Sequence, residues 1–191
     1  VTDAGNAEAG AVRGDAGNAP IRAAVLVVSD RVSAGGHEDL SGPAAVRALA
    51  AAGMEIVASE AVPDERAVIA GRLRALADRG DVDLVVTSGG TGFAARDVTP
   101  EATRDVIERD APGLAELIRR ETARATPLAA LGRGVAGIRG RALIVNLPGS
   151  PRAVAECLDV LIPLLPHAVR LLRGEDPGHP AWPDAGADKP A

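Results

Sequence analysis

The chain is almost without aromatic residues: one Phe, one Trp and no Tyr in 191 positions. That removes the stacking platforms on which most single-stranded nucleic-acid recognition depends. A surplus of positive charge is missing too. The formal net charge is -5, whereas affinity for a phosphate backbone comes from excess Lys and Arg, so no nucleic-acid partner is expected. Lys189 is the only lysine, which excludes a P-loop lysine and leaves only a tail residue for Schiff-base chemistry. Cys157 is the only cysteine, so no internal disulfide can form. His37, His167 and His179 are scattered, with no metal-ligand spacing. The order of residues would allow a Ser-His-Asp triad, but no G-x-S-x-G elbow supports one. No apolar run approaches the roughly 18–20 residues of a membrane span. The amino-terminal stretch also lacks the basic start and apolar core of a secretory signal. A soluble, cytoplasmic protein with no membrane contact is the expectation.

What is present is a hydrophobic fraction of 47%, enough for a core built from Ala, Val, Leu and Ile. The length suits one domain. Residues 1–20, rich in Ala, Gly, Asp and Asn, carry too little apolar surface to offset ordering entropy and are expected to be disordered. Residues 21–174 form the expected folded domain. Residues 175–191 read as a flexible tail, with Trp182 as a tail residue.

Strand and helix patterns alternate through the domain. Residues 23–28 are a nearly continuous apolar run, as in a strand buried on both faces. Ser41 is a plausible N-cap before a helix that Gly53 ends. Residues 55–62 and 83–87 read as strands, and 64–79 as a helix with Val68, Ile69, Leu73 and Leu76 on one stripe. Thr99-Pro100-Glu101 reads as a helix start with threonine as N-cap. Two helical stretches follow, to about residue 109 and from 112 to about 125. Residues 135–138 and 142–147 predict a hairpin turning at Arg139-Gly140. A last helix runs from Pro151 to about residue 173, kinked or split at Pro163 and Pro166. Together these predict an α/β fold, a three-layer α/β/α sandwich with a mainly parallel sheet and a β-hairpin at one edge.

In such sheets ligands sit beyond the carboxyl ends of strands, where five polar clusters fall. They are Ser29-Asp30-Arg31, Asp39-Leu40-Ser41-Gly42, Pro63-Asp64-Glu65, the stretch from Thr87 to Pro100, and Asn146-Leu147-Pro148-Gly149-Ser150. Gly89-Gly90-Thr91-Gly92 is the sharpest. Its glycines permit close approach of a ligand, and successive N–H groups can cradle an anion. The bland alternative is a tight turn. Residues 90–95 also match a relaxed dinucleotide fingerprint. However, they do not follow the first strand, Arg96-Asp97 interrupts the helix start, and no acid closes a later strand. An acid beside a phosphate loop needs an intervening cation, so Asp97 and Asp64 are candidate Mg²⁺ ligands. For Asp64 the competing reading is a helix N-cap; for Asp97 it is a surface turn residue or a salt bridge with Arg96. Arg31, Arg96, Arg139 and Arg141 could add positive charge. His37 reads as an exposed loop residue, and His167 and Cys157 as structural.

Several segments then occur in a telling order: Val27-Val28-Ser29-Asp30-Arg31, Asp39-Leu40-Ser41-Gly42, Pro63-Asp64-Glu65, Ser88-Gly89-Gly90-Thr91-Gly92, Arg96-Asp97-Val98-Thr99-Pro100-Glu101, Ala136-Gly137-Ile138-Arg139-Gly140 and Asn146-Leu147-Pro148-Gly149-Ser150. The ordered set, over about residues 21–174, resembles the molybdopterin-binding MoaB/Mog family of molybdenum-cofactor biosynthesis, gephyrin G domains included. The resemblance implies a trimer and Mg²⁺-dependent transfer of AMP from ATP to the phosphate of molybdopterin, releasing pyrophosphate. It also implies hand-over of the adenylylated pterin to a MoeA-type molybdenum-insertion partner. It assigns Asp64 and Asp97 to catalysis. It assigns substrate binding to the glycine loop (Gly89, Gly90, Thr91, Gly92), to Ser29 and Asp30, to Asp39, Ser41 and Gly42, and to Pro148, Gly149 and Ser150. Some relatives carry serine where Arg141 stands, so Arg141 is either an added phosphate contact or a solvent-facing residue. The competing functions are a non-catalytic molybdopterin-binding or scaffold protein of the same fold and a dinucleotide oxidoreductase. The larger molybdenum-insertion enzymes need additional domains.

Overall fold

The computed structural model describes residues 19–175. The expected extension and tail, with Trp182, His179 and Lys189, lie almost wholly outside them.

Six strands form one sheet: β1 (Arg22–Val28), β2 (Glu55–Val62), β3 (Leu84–Ser88), β4 (Arg109–Asp110), β5 (Ala136–Arg139) and β6 (Ala142–Leu147), in the order β2-β1-β3-β6-β5-β4. The first four in that order are parallel, and β5 and β4 join antiparallel. The helices are α1 (Asp30–Ser33), α2 (Ser41–Ala51), α3 (Arg66–Ala77), α4 (Thr99–Arg104), α5 (Pro112–Thr122), α6 (Pro151–Leu161) and α7 (Leu165–Arg173).

Strand alternation sorts the core into two layers. Ala23, Val25 and Val27 of β1 face Leu49 of α2, Ile118 of α5, and Val154, Leu158 and Leu161 of α6. Ala24, Leu26 and Val28 face the opposite way, onto Ile69, Leu73 and Leu76 of α3 and Ala102 of α4. Both faces of the central strands are therefore dry, as their unbroken apolar runs require. From β1 the chain crosses to β2 on one side, then returns to β3 on the other. That reversal opens a crevice at the carboxyl ends of β1 and β3, where Val27 aligns with Ser88 and Ser88 with Leu147.

Several expectations need correction. The short α1, the strand β4 and a 3-10 turn at Pro127–Leu131 were not expected. The α4 helix stops at Arg104 rather than near 109, because Glu108 N donates to Ile138 O at 2.8 Å and the chain is drawn into the sheet. The β4 strand then lies outside the expected edge hairpin. Ser41 lies inside α2 rather than capping it: the Asp39 carboxylate accepts from Ser41 N and Gly42 N at 3.1 and 2.9 Å. Thr99 is not an N-cap either, since its hydroxyl donates to Gly89 O at 2.9 Å. The α3 helix begins at Arg66, so Asp64 does not cap it. The prolines do split the last helix, into α6 and α7.

Candidate active site

The buried strand β3 ends at Ser88, and the chain must then turn out of the sheet. Gly89 and Gly90 make that turn with φ of 108° and 62°, a region that disfavours side chains. Space forbids side chains as well. A Cβ on Gly89 would lie 2.3 Å from Val28 O, and one on Gly90 would lie 2.3 Å from Thr99 Oγ1 and 3.1 Å from Asp64 Oδ1. The Ser88 hydroxyl donates to Pro148 O at 3.0 Å, and Gly149 packs on Gly89, which brings the loop after β6 to the same point. Ser150 caps α6 there, accepting from Ala153 N at 3.2 Å.

Two carboxylates flank the loop. Asp64 accepts from Asp30 N through Oδ2 at 2.8 Å, and Asp30 accepts from Asp64 N at 3.0 Å, a reciprocal lock between the ends of β1 and β2. Asp64 Oδ1, turned toward Gly90, has no hydrogen-bond donor among the described residues. Asp97 accepts from Ala94 N at 2.7 Å, and its Oδ2 lies 2.9 Å from where a Gly92 Cβ would stand. Burial, aided by the charges of Asp30 and Asp97, holds the Asp64 carboxyl above its ordinary range, against the Asp30 N–H and Arg96. Asp30 is different. The Arg96 guanidinium grips its carboxylate at 2.6 and 2.7 Å and holds it below the usual range. Asp30 and Arg96 therefore fix Asp64 in place, and because Arg96 pairs with Asp30, the competing reading of Asp97 as its salt-bridge partner does not hold.

Other predicted residues fall out as follows. Ser29 caps α1, accepting from Val32 N at 3.3 Å. Gly42 lies beside Val27 near the end of β1, on the crevice side, but the Asp39 carboxylate covers the first N–H groups of α2. Arg139 and Arg141 lie at the amino end of β6, away from the crevice: Arg139 pairs with Asp78, and Arg141 donates to Arg173 O at 2.8 Å. Arg141 is thus the solvent-facing alternative. Beside the loop opens a cavity of about 500 Å³, with Thr91 and Asp97 at one end and Ile118, Leu128, Leu131 and Cys157 among its apolar walls. Burial pushes the Cys157 thiol up to about 12, so it is an inert wall residue.

Sequence reasoning missed Arg133, which is 36 to 41 residues distant from its partners on the glycine loop. It also missed the role of Asn146, whose buried amide ties Thr87 to Thr103 at 3.0 and 2.9 Å. Among the described residues no three His, Cys, Asp or Glu side chains gather as a metal cage. The donor set suits an ion that takes one or two carboxylates and completes its shell with phosphates and water, which is the habit of Mg²⁺.

Fold and site together define an α/β protein with a glycine loop and two flanking carboxylates at a topological switch point. The comparisons narrow this class: the chain belongs to the family described as probable molybdopterin binding domain, whose model matches residues 24–167. It is 44% identical over 156 residues to the molybdopterin adenylyltransferase of Helicobacter pylori strain J99, covering 81% of this chain and 89% of that one. The Escherichia coli K12 protein of the same name is 41% identical, over 73% of this chain and 72% of its own. Among solved structures, the molybdopterin biosynthesis enzyme MoaB of Thermus thermophilus superposes with a TM-score of 0.77 at 50% identity. That match covers 81% of this chain and 98% of the other.

Proposed function

We propose that this protein is a molybdopterin adenylyltransferase of molybdenum-cofactor biosynthesis, moving AMP from ATP to the phosphate of molybdopterin. The observation that carries the reading is the pair of carboxylates, Asp64 and Asp97, packed against opposite ends of Gly90-Thr91-Gly92. The names of two relatives at 41% and 44% identity support it. A phosphate oxygen of the pterin attacks the α-phosphorus of ATP. One P–O bond forms, the bond to the β-phosphate bridge breaks, and pyrophosphate leaves. The acceptor is already an anion, so no general base is required. The barrier is alignment and charge repulsion. Backbone N–H groups of residues 90–92 align the anions, since that of Gly89 is held by Leu147 O, with Ser150 and Gly149 closing the opposite side. Asp64 and Asp97 would hold Mg²⁺, which neutralises phosphate charge when bound. The apolar cavity offers the pterin an uncharged wall beside the loop.

The domain is taken as residues 21–174, with the reaction in the cytoplasm, where ATP is plentiful. A homotrimer passing its product to a MoeA-type insertion partner completes the reading. Incubation with molybdopterin, ATP and Mg²⁺ is expected to yield adenylylated pterin and pyrophosphate. Pterin binding without product would leave a binding or scaffold protein instead. Light scattering checks the trimer.

A further inference from the structure

The segment that carries Asp97 is irregular and its residues 93–96 are exposed, yet it is pinned from outside. Arg133, in the connection between the 3-10 turn and β5, inserts its guanidinium beneath it. Its Nε donates to Gly92 O at 2.7 Å, and its terminal nitrogens donate to Asp97 O and, at 2.6 Å, to Glu101 Oε1. Its own N–H donates to Thr91 O at 2.9 Å. One side chain therefore grips both ends of the excursion from Gly92 to Asp97. Within the excursion the turn contacts between Ala94 and Asp97 add order, and the Arg96 side chain reaches out to Asp30, but Arg133 alone joins the two ends through the backbone. Glu101, in the first turn of α4, orients the guanidinium. Burial would raise the Glu101 carboxyl, but Arg133, joined by the Glu101 backbone N–H and by Arg104, holds it below its ordinary range.

We infer that Arg133 is a positioning residue that sets the place of the Asp97 carboxylate through the backbone of residues 92–97 and touches no substrate itself. The planar fork is what the task needs. A guanidinium can satisfy two carbonyls and a carboxylate at once in fixed directions, whereas an ammonium is a single point of charge. Lysine would keep the attraction to Glu101 and lose the span between Gly92 and Asp97. The inference rests on the adenylyltransferase reading for its kinetic arm only.

The test compares the full chain with Arg133→Ala and Arg133→Lys. Arg96 lies inside the pinned segment, so trypsin reports on it directly. Both variants are expected to be cut at the Arg96–Asp97 bond at least about tenfold faster than wild type, with cleavage elsewhere unchanged. In adenylyl transfer both should lose about 100-fold in kcat, the usual cost of a small misplacement, with KM for molybdopterin held within about threefold. Added guanidinium ion at low millimolar concentration should restore part of both readouts in Arg133→Ala. Wild-type cleavage and kcat in Arg133→Lys would overturn the inference, as would faster cutting at every site together. A wild-type chain without turnover would sink the adenylyltransferase reading instead, and proteolysis would still decide the clamp.

Discussion

Asp64 and Asp97 are held differently, and the difference predicts separate behaviour. Asp97 is a turn residue whose carboxylate keeps Ala94 N–H, so an amide in its place preserves the loop. Asp97→Asn should therefore slow adenylyl transfer by roughly 10²–10³ while molybdopterin binding stays near normal. A binding titration beside a product assay checks this, and near-normal turnover would remove Asp97 from the chemistry. Asp64 bears a cost of burial. Its carboxyl is raised in the folded state, so on raising pH the unfolded chain releases this proton first. The stability associated with the neutral form is present below the usual carboxylate range and is lost as pH rises through the folded value. Asn keeps an acceptor for Asp30 N–H and carries no charge. Asp64→Asn is thus expected to melt higher than wild type at pH 7 without Mg²⁺, with the gap closing at acid pH, and to be inactive. A lower Tm at pH 7 would contradict the account.

At the scale of elements, legibility in the sequence followed burial. The β1, β3 and β6 strands declared themselves because their residues are mostly apolar runs, buried almost throughout. The two exposed residues of β4 have no pattern to read, and only their pairing with Ile138 and Gly137 makes them a strand. Thr99-Pro100-Glu101 has the composition of a cap, but the space left by Gly90 takes the threonine hydroxyl for Gly89 O. The glycine loop and its acids were legible by position at strand ends. Arg133 was not, since nothing local distinguishes it from the other arginines. The α6 helix offers a test of cap against ligand contact. Ser150→Ala should lose about 1 kcal/mol, lowering Tm by about 2–4 °C. Ser150→Asp keeps a capping oxygen and should hold Tm, but its charge beside Gly149 and Gly89 should weaken ATP and molybdopterin binding. Melting curves and titrations separate the two effects. Unchanged ligand affinity in Ser150→Asp would detach this helix start from the site.

Across the whole molecule the two ends of the sheet divide the work. The crevice takes the carboxyl ends of the strands, and a charged clamp takes the amino ends. Asp83, whose side chain is 8% exposed, accepts from Arg22 N at 2.8 Å and from Arg173 Nε and its terminal nitrogen at 3.1 and 2.7 Å. Arg173 also donates to Ala19 O and Pro20 O at 3.0 and 2.9 Å, so one pair ties the start of the domain, β3 and the last helix together. Burial pushes the Asp83 carboxyl up, but Arg173 and the Arg22 N–H outweigh it and hold it low. Its stability contribution is therefore present above the unfolded value, about 3.9, and is lost as pH falls through the lower folded value. Asp83→Asn leaves Arg173 without its counter-charge and should cost about 3 kcal/mol at pH 7. The deficit should shrink as wild-type Asp83 itself becomes protonated. Activity well below Tm should be unchanged, because the clamp and the crevice lie at opposite ends of the strands. Thermal melts from pH 7 down to the acid transition check the argument. An equal deficit at every pH would mean that Asp83 acts through its hydrogen bonds and not through its charge.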